Sequence, residues 1–400
     1  MTRAYAETMS KGEGNIQEAI LPNGLKVLIL EEHSFPVFSS MVFYRVGSRN
    51  ENLGESGLSH LVEHLLFDRV GKYRKGEIGA IIARNGGMFN GFTSDDFTVY
   101  FETMAPTKLD LALKIEADRM RLANFSQEEV AAEIKRIEKE LELEAKDQAN
   151  LLVKEVRSAA FQRHPYKNPT IGWSTDVQKL TLDDVKRHYK EYYQPGNATL
   201  VIVGDIDATA ALANVRKHFA GIAAGELPRP LRVVEPAQRA EKRVYLKYGG
   251  AADVLSLAYH APAFTDNDAV ALAVLEKIMI SGVGGRLKSQ MVDAKICTQA
   301  RATYEVKKDP GLFVVNLNAQ PGVGATRTLE SFDQLVEQLK NAPVDDSELR
   351  RARNHTELQL LSERDGPYHN AFQLGFFDCL ENLQSAYTWF VKLRTVSASD

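Results

Sequence analysis

Residues 57–67 read Gly57-Leu58-Ser59-His60-Leu61-Val62-Glu63-His64-Leu65-Leu66-Phe67. Leu58, Leu61, Val62, Leu65 and Leu66 recur at three- and four-residue intervals, so the stretch is expected to form one helix with an apolar face. On such a helix His60 and His64 lie one turn apart on the same side, and their imidazoles can converge on a single ion. Glu63 precedes the second histidine and can reach a water on that ion without displacing a ligand. Zinc takes nitrogen and oxygen ligands in tetrahedral array, and a catalytic site keeps one position for water. The metal brings the pKa of that water down to about 7 and polarises a carbonyl. Glu63 is then placed to take the proton and pass it to a leaving amine. Histidine pairs at this spacing also occur in helices without metal; the intervening glutamate makes the pattern much rarer.

Two histidines and a water leave one place for a third protein ligand. Ser126, with Glu129 three residues on, opens a long helix expected to run to about Gln162. It offers Glu133, Glu138, Glu140, Glu142 and Glu144, and spacing does not choose among them. Glu133, Glu140 and Glu144 share a face with Ile137. The ordinary reading of such a run is a solvated face with Lys135 and Lys139 as ion-pair partners.

Outward from these helices, Leu25–Leu30 and Phe38–Val46 read as strands, and Met88–Glu102 as a strand pair broken at Ser94-Asp95-Asp96. Thr107–Ala123 reads as a helix, Thr181 with Asp184 starts another, and Ala198–Val203 is a short buried strand. Hairpin-like neighbours among helices favour an α+β fold. Residues 226–238, with Pro228, Pro230 and Pro236, are the expected linker. Beyond it the order repeats: a strand near Arg243–Leu246, another near Val254–His260, a helix from about Asp266 to Ile280. Two homologous domains are therefore expected, 1–225 and 239–400, each an antiparallel-rich sheet covered by helices.

The 400 residues are 44% hydrophobic and 26% charged, with a net charge of −4. That balance excludes wholesale disorder and gives no basic face for nucleic acid. No run of about 18 apolar residues suggests a membrane span. Two cysteines, Cys297 and Cys379, exclude a disulfide scaffold and a cysteine-based zinc cluster. The opening MTRAYAETMSKGEGN has no signal-peptide core, so the expectation leaves the compartment open between the bacterial cytoplasm and, if a leader was removed earlier, the periplasm.

With these residues in place the chain resembles the pitrilysin-like peptidases, family M16, whose inverted His-x-x-Glu-His motif defines the inverzincins. The resemblance is to the short bacterial members and to the zinc-bearing β subunit of mitochondrial processing peptidase, with the metallohydrolase fold that LuxS shares. It covers nearly the whole chain. Leu21-Pro22-Asn23-Gly24-Leu25-Lys26-Val27 is similar to the opening strand of the family. Gly47-Ser48-Arg49-Asn50-Glu51 and Gly57-Leu58-Ser59 resemble its approach to the motif. Gly86-Gly87, Asn90, Thr93, Asp96 and Tyr100 follow, then His164-Pro165-Tyr166, Ile171-Gly172, Tyr193-x-Pro195-x-Asn197 and Val203-Gly204-Asp205.

The resemblance implies one zinc ion per chain on His60, His64 and Glu140, because the family takes its third ligand from a glutamate about 76 residues past the second histidine. It implies Glu63 as general base and Glu133, seven positions before Glu140, as an acid that orients the site. It implies an extended peptide substrate added to the edge Met88–Thr93, in contact with Phe89, Asn90 and Gly91, although Gly91 stands where the family commonly has alanine. Active members also carry an arginine, and a tyrosine seven residues on, in a second homologous domain. The corresponding positions here are Val292 and Gln299, and the helical stretch Leu272–Ile278 has no histidine. The expectation is a heterodimer with a homologous M16 subunit that supplies the Arg/Tyr pair, the two chains enclosing a chamber. A homodimer in which Arg286 or Tyr304 substitutes is the lesser alternative. Against the endopeptidase stands a non-catalytic structural or assembly subunit of a larger complex, but relatives of that kind erode the motif, which is whole here.

Overall fold

A computed structural model describes residues 10–11, 16–247, 249–250, 252–362 and 365–400. Most of the opening stretch read for a signal peptide lies outside them. The strands are β1 (Ser10–Lys11), β2 (Gln17–Ile20), β3 (Lys26–Glu31), β4 (Phe38–Tyr44), β5 (Met88–Thr93), β6 (Thr98–Met104), β7 (Ala198–Gly204), β8 (Val254–Ala261), β9 (Cys297–Tyr304) and β10 (Gly311–Ala319). The chain divides into two compact units, residues 1–146, 163–236 and 363–379 in one, 147–162, 237–362 and 380–400 in the other. Each is a sheet packed with helices, the α+β class read from the sequence.

The first unit is built on a seven-stranded sheet in the order β1-β2-β3-β7-β4-β6-β5. All neighbours are antiparallel except β3 and β7. Every residue of β4 and β7 is buried, as expected of central strands covered on both faces. On one face Val42, Tyr44, Tyr100, Leu200 and Ile202 form a single core with Leu61, Leu65, Ala112, Leu113, Leu212 and Val215 from the covering helices. The other face meets the helix Gly366–Leu380, whose Phe372 ring lies 5.9 Å from Phe43 and from Phe92. Gly375 allows this approach: a β-carbon there would fall 2.1 Å from the Phe43 ring. Asp378 on the same helix is buried and pairs with Lys26 and Arg45 at 2.6 Å each. Among the described residues the edges are β1 and β5.

The second unit carries the three-stranded antiparallel sheet β8-β10-β9. The strand expected near Arg243–Leu246 is not formed. Residues 241–247 are irregular, with Tyr245 81% exposed; a short alternating run becomes a strand only where a neighbour pairs with it. The single helix expected from Ser126 to Gln162 is two, Gln127–Glu144 and Gln148–Ala160. Asp147 accepts from the backbone N–H of Ala149 and starts the second one, an N-cap that the helix-forming composition around it conceals.

Candidate metal centre

The motif helix spans Leu58–Asp68. Leu58, Leu61, Val62, Leu65 and Leu66 are buried in the core, which orients the remaining face and with it the two histidines. The N-terminal end is held by a buried acid. Glu51 accepts from the backbone N–H groups of Gly57 at 2.9 Å and Ser59 at 2.8 Å, two of the donors a helix start leaves unpaired. Burial pushes the Glu51 carboxyl up to about 8 in spite of these bonds. The Ser59 hydroxyl donates to the carbonyl of Gly47 and lies 3.2 Å from the His188 ring nitrogen. Gly57 itself sits at φ 89°, a left-handed turn that favours glycine.

The helix Gln127–Glu144 packs against the motif helix through buried Val130, Ile137 and Leu141. Ser126 caps it in the expected capping box with Glu129. Glu133 and Glu140, two turns apart, follow the same face as Ile137. The Glu140 carboxylate lies 4.0 Å from His60 Nε2 and 3.8 Å from His64 Nε2. Glu133 is almost wholly buried, with Oε2 3.3 Å from His64 Nδ1. Glu142 and Glu144 are exposed; of the acids that spacing left open, Glu140 comes to Nε2 of both histidines and Glu133 to Nδ1 of His64.

Glu63 is buried, and the Thr93 hydroxyl of β5 donates to it at 2.9 Å. Burial raises the Glu63 carboxyl above its ordinary range, and the Thr93 bond works against that. The His60 imidazole is held down to about 3 by burial, then by the neighbouring His64. For His64, burial lowers the pKa, but the bond to Glu133 and the charges of Glu63 and Glu140 outweigh it and leave it raised. Among the described residues His60 Nδ1 has no hydrogen-bond partner.

The donor set fits a zinc ion. His60, His64 and Glu140 each offer a ligand atom, all within 4.8 Å of one another; the 4.0 and 3.8 Å from Glu140 to the two Nε2 atoms lie a little outside the roughly 3.4 Å that bonds of about 2.1 Å impose in a tetrahedron. A neutral imidazole at His60 leaves its lone pair available at neutral pH.

β5 carries the remaining expected site residues. Phe89 packs its ring 5.7 Å from Phe67 of the motif helix. A β-carbon on Gly91 would meet Phe67, Tyr100 and the carbonyl of Val99, so alanine would be crowded there. Asn90, of opposite parity to Thr93, is turned by the pleat to the exposed side and is not brought to the histidines. In the second unit Arg286 is locked in a two-pronged pair with Glu348 at 2.8 and 2.9 Å, and the Tyr304 hydroxyl donates to the carbonyl of Pro262. Both are already engaged. The sequence reading gave no role to Thr93, Lys75 or Arg136. Lys75 and Arg136 reach Glu133 at 3.1 and 3.4 Å. Thr93 was visible as part of a resembling block; Lys75 carries no signal, because its partner is 58 positions away.

A mixed sheet-and-helix fold with paired histidines and a distant glutamate defines the class, a metallohydrolase-type fold with a candidate zinc centre. Two family models match the chain: insulinase (peptidase family M16) over residues 26–173 and peptidase M16 inactive domain over 179–356. A Helicobacter pylori protein named zinc protease PqqE is 30% identical over 352 residues, which cover 86% of this chain and 79% of that protein. A probable mitochondrial-processing peptidase subunit beta of Arabidopsis thaliana is 26% identical over 376 residues, 89% of this chain and 68% of that one. The crystal structure of a protease from Helicobacter pylori matches with a TM-score of 0.91 at 29% identity, over 96% of this chain and 94% of that chain. The chain belongs to peptidase family M16. Among the described residues no helix is long and apolar enough to cross a membrane.

Proposed function

We propose that the chain is the catalytic subunit of a zinc metalloendopeptidase that cleaves unfolded peptides. The observation that carries this is the meeting of His60, His64 and Glu140 beside the buried Glu63. His60 and His64 would hold the ion through ring nitrogens and Glu140 through a carboxylate oxygen. Zinc bound there would supply acidification of a water and polarisation of the scissile carbonyl. Glu63 takes a proton from the attacking water and returns it to the leaving amine, and its raised pKa suits both halves of that task. Glu133 accepts from the Nδ1–H of His64 and so fixes the tautomer that presents Nε2. We place this site in a domain of residues 1–225, joined by 226–238 to a homologous domain, 239–400, that lacks a metal site.

An extended substrate adds to the open edge of β5, next to Phe89, Asn90 and Gly91, and pairs through backbone groups that demand little of its sequence. Val292 and Gln299 cannot replace an Arg/Tyr pair, so a homologous M16 chain supplies it in a heterodimer. Substitution of Glu63 by Gln tests the mechanism: zinc content should stay at one per chain while cleavage of a quenched peptide disappears. Retained cleavage would remove Glu63 as the base. A crystal soaked in zinc that gave no anomalous peak at His60, His64 and Glu140 would remove the site.

A further inference from the structure

Below the motif helix lies a charged cluster that the proposed chemistry leaves without a task. Arg119, on the helix Leu109–Arg121, is 0% exposed, as are Glu116 and Glu102. The guanidinium donates to Glu116 at 2.9 Å and, through Nη1, to the backbone carbonyl of Leu66. Its carbon lies 4.5 Å from the centre of the Tyr100 ring and 5.5 Å from that of Phe67. Both oxygens of Glu102 and one of Glu116 are buried with no hydrogen-bond partner among the described residues. Burial, then the adjacent Glu116, pushes the Glu102 carboxyl well above the carboxylate range.

Such a cluster is a poor source of stability. Removing a cation and two acids from water is costly, and apolar side chains of similar volume commonly stabilise as well or better. What the guanidinium does that an apolar group cannot is grip the carbonyl of Leu66. That carbonyl belongs to the last turn of the motif helix, where no intrahelical donor remains. It lies two residues beyond His64. The rings that flank the guanidinium, Phe67 and Tyr100, are the ones a side chain on Gly91 of β5 would strike. One planar group therefore meets the end of the helix that carries the histidines and the aromatic floor under the edge strand.

We propose that Arg119 is a positioning residue. It fixes the C-terminal turn of the motif helix, and so the rotation of His64 and Glu63, against the floor of β5, while Glu51 fixes the other end. Glu116 aims the guanidinium, and Glu102 completes its buried surroundings. The consequence for metal affinity rests on the proposed zinc site; the consequence for helix order does not.

The test uses the full chain with Arg119→Met, Glu102→Leu and Glu116→Leu combined, which replaces the whole cluster and leaves no stranded charge. The melting temperature should be unchanged or higher. Amide hydrogen exchange of residues 64–68 should nonetheless speed up about 10-fold, the effect of losing one hydrogen bond to a charged donor. Zinc affinity by chelator competition should fall by a similar factor. Arg119→Lys, which keeps the charge and loses the planar fork, should show the same faster exchange; it decides the matter if the triple variant does not fold. Wild-type exchange at 64–68 in either folded variant would overturn the assignment and leave an ordinary interior ion pair. Exchange is read whether or not the chain cleaves peptide, so a failure of the peptidase reading would be recognised separately.

Discussion

Thr93 is the residue through which the edge strand reaches Glu63, the proposed general base. Its hydroxyl reaches Glu63 across 30 positions of sequence, and the loss of a hydrogen bond to a charged acceptor costs about 1.5–3 kcal/mol. Thr93→Val should therefore lower kcat/KM about 10- to 100-fold with zinc content unchanged, and Thr93→Ser should restore most of it; unaltered steady-state kinetics in the valine variant would show that the bond is idle. The proposed ligands were open to sequence reading at this scale in part. His60, Glu63 and His64 are adjacent enough for helical geometry to relate them, whereas Glu140 had four competitors in the same helix until the fold brought it to 3.8 and 4.0 Å. The reason is that i, i+4 spacing is a local constraint, while the choice of a carboxylate depends on which turn of one helix faces another.

Elements bring two further expectations. His188, on the helix Leu182–Tyr192, is buried against Ser59, and burial, then the charge of Arg187, holds its imidazole down to about 3. A base whose folded pKa is depressed gives stability that is full above its unfolded pKa of about 6.5 and is lost as pH falls towards the folded value. The unfolding free energy should then decline by about 1.4 kcal/mol per pH unit for this proton below pH 6.5. His188→Gln should flatten the measured slope by one proton between about pH 6 and 4; an unchanged slope would show that His188 takes its proton in the folded state. The docking of Gly366–Leu380 makes the second case. Asp378→Ala leaves Arg45 without its acid and Lys26 with Glu18 alone, at 3.1 Å, and denaturant unfolding should show a loss of about 3 kcal/mol. The element boundaries that sequence missed have a common cause. The break at Asp147 and the absent strand at 243–246 both depend on whether neighbouring backbone is available, which local propensity does not report.

For the whole molecule the question is whether the proposed peptidase needs a second chain. Arg286 is bound to Glu348 and Tyr304 to Pro262, so each is already engaged and neither stands ready to serve in the homodimer alternative. Purified chain loaded with zinc should turn over a quenched peptide at well under a hundredth of the rate it shows once a homologue bearing the Arg/Tyr pair is added, a margin of about 3 kcal/mol for substrate-holding groups. Equal rates with and without the homologue would end the heterodimer proposal. By itself the sequence determined the class of fold, the helix that bears the motif, and the type of chemistry its two histidines and glutamate can support, because apolar periodicity and i, i+4 spacing act within a single turn or two. Spacing left the third acid open and the family resemblance singled out Glu140 with Glu133 behind it; the tertiary structure brings Glu140 to both Nε2 atoms and Glu133 to His64 Nδ1, and it alone shows that Thr93 meets Glu63 and that Gly366–Leu380 covers the first sheet. Those pairings join residues from 30 to more than 300 positions apart, and nothing but the packing of complete helices and strands brings such distant groups within a hydrogen bond.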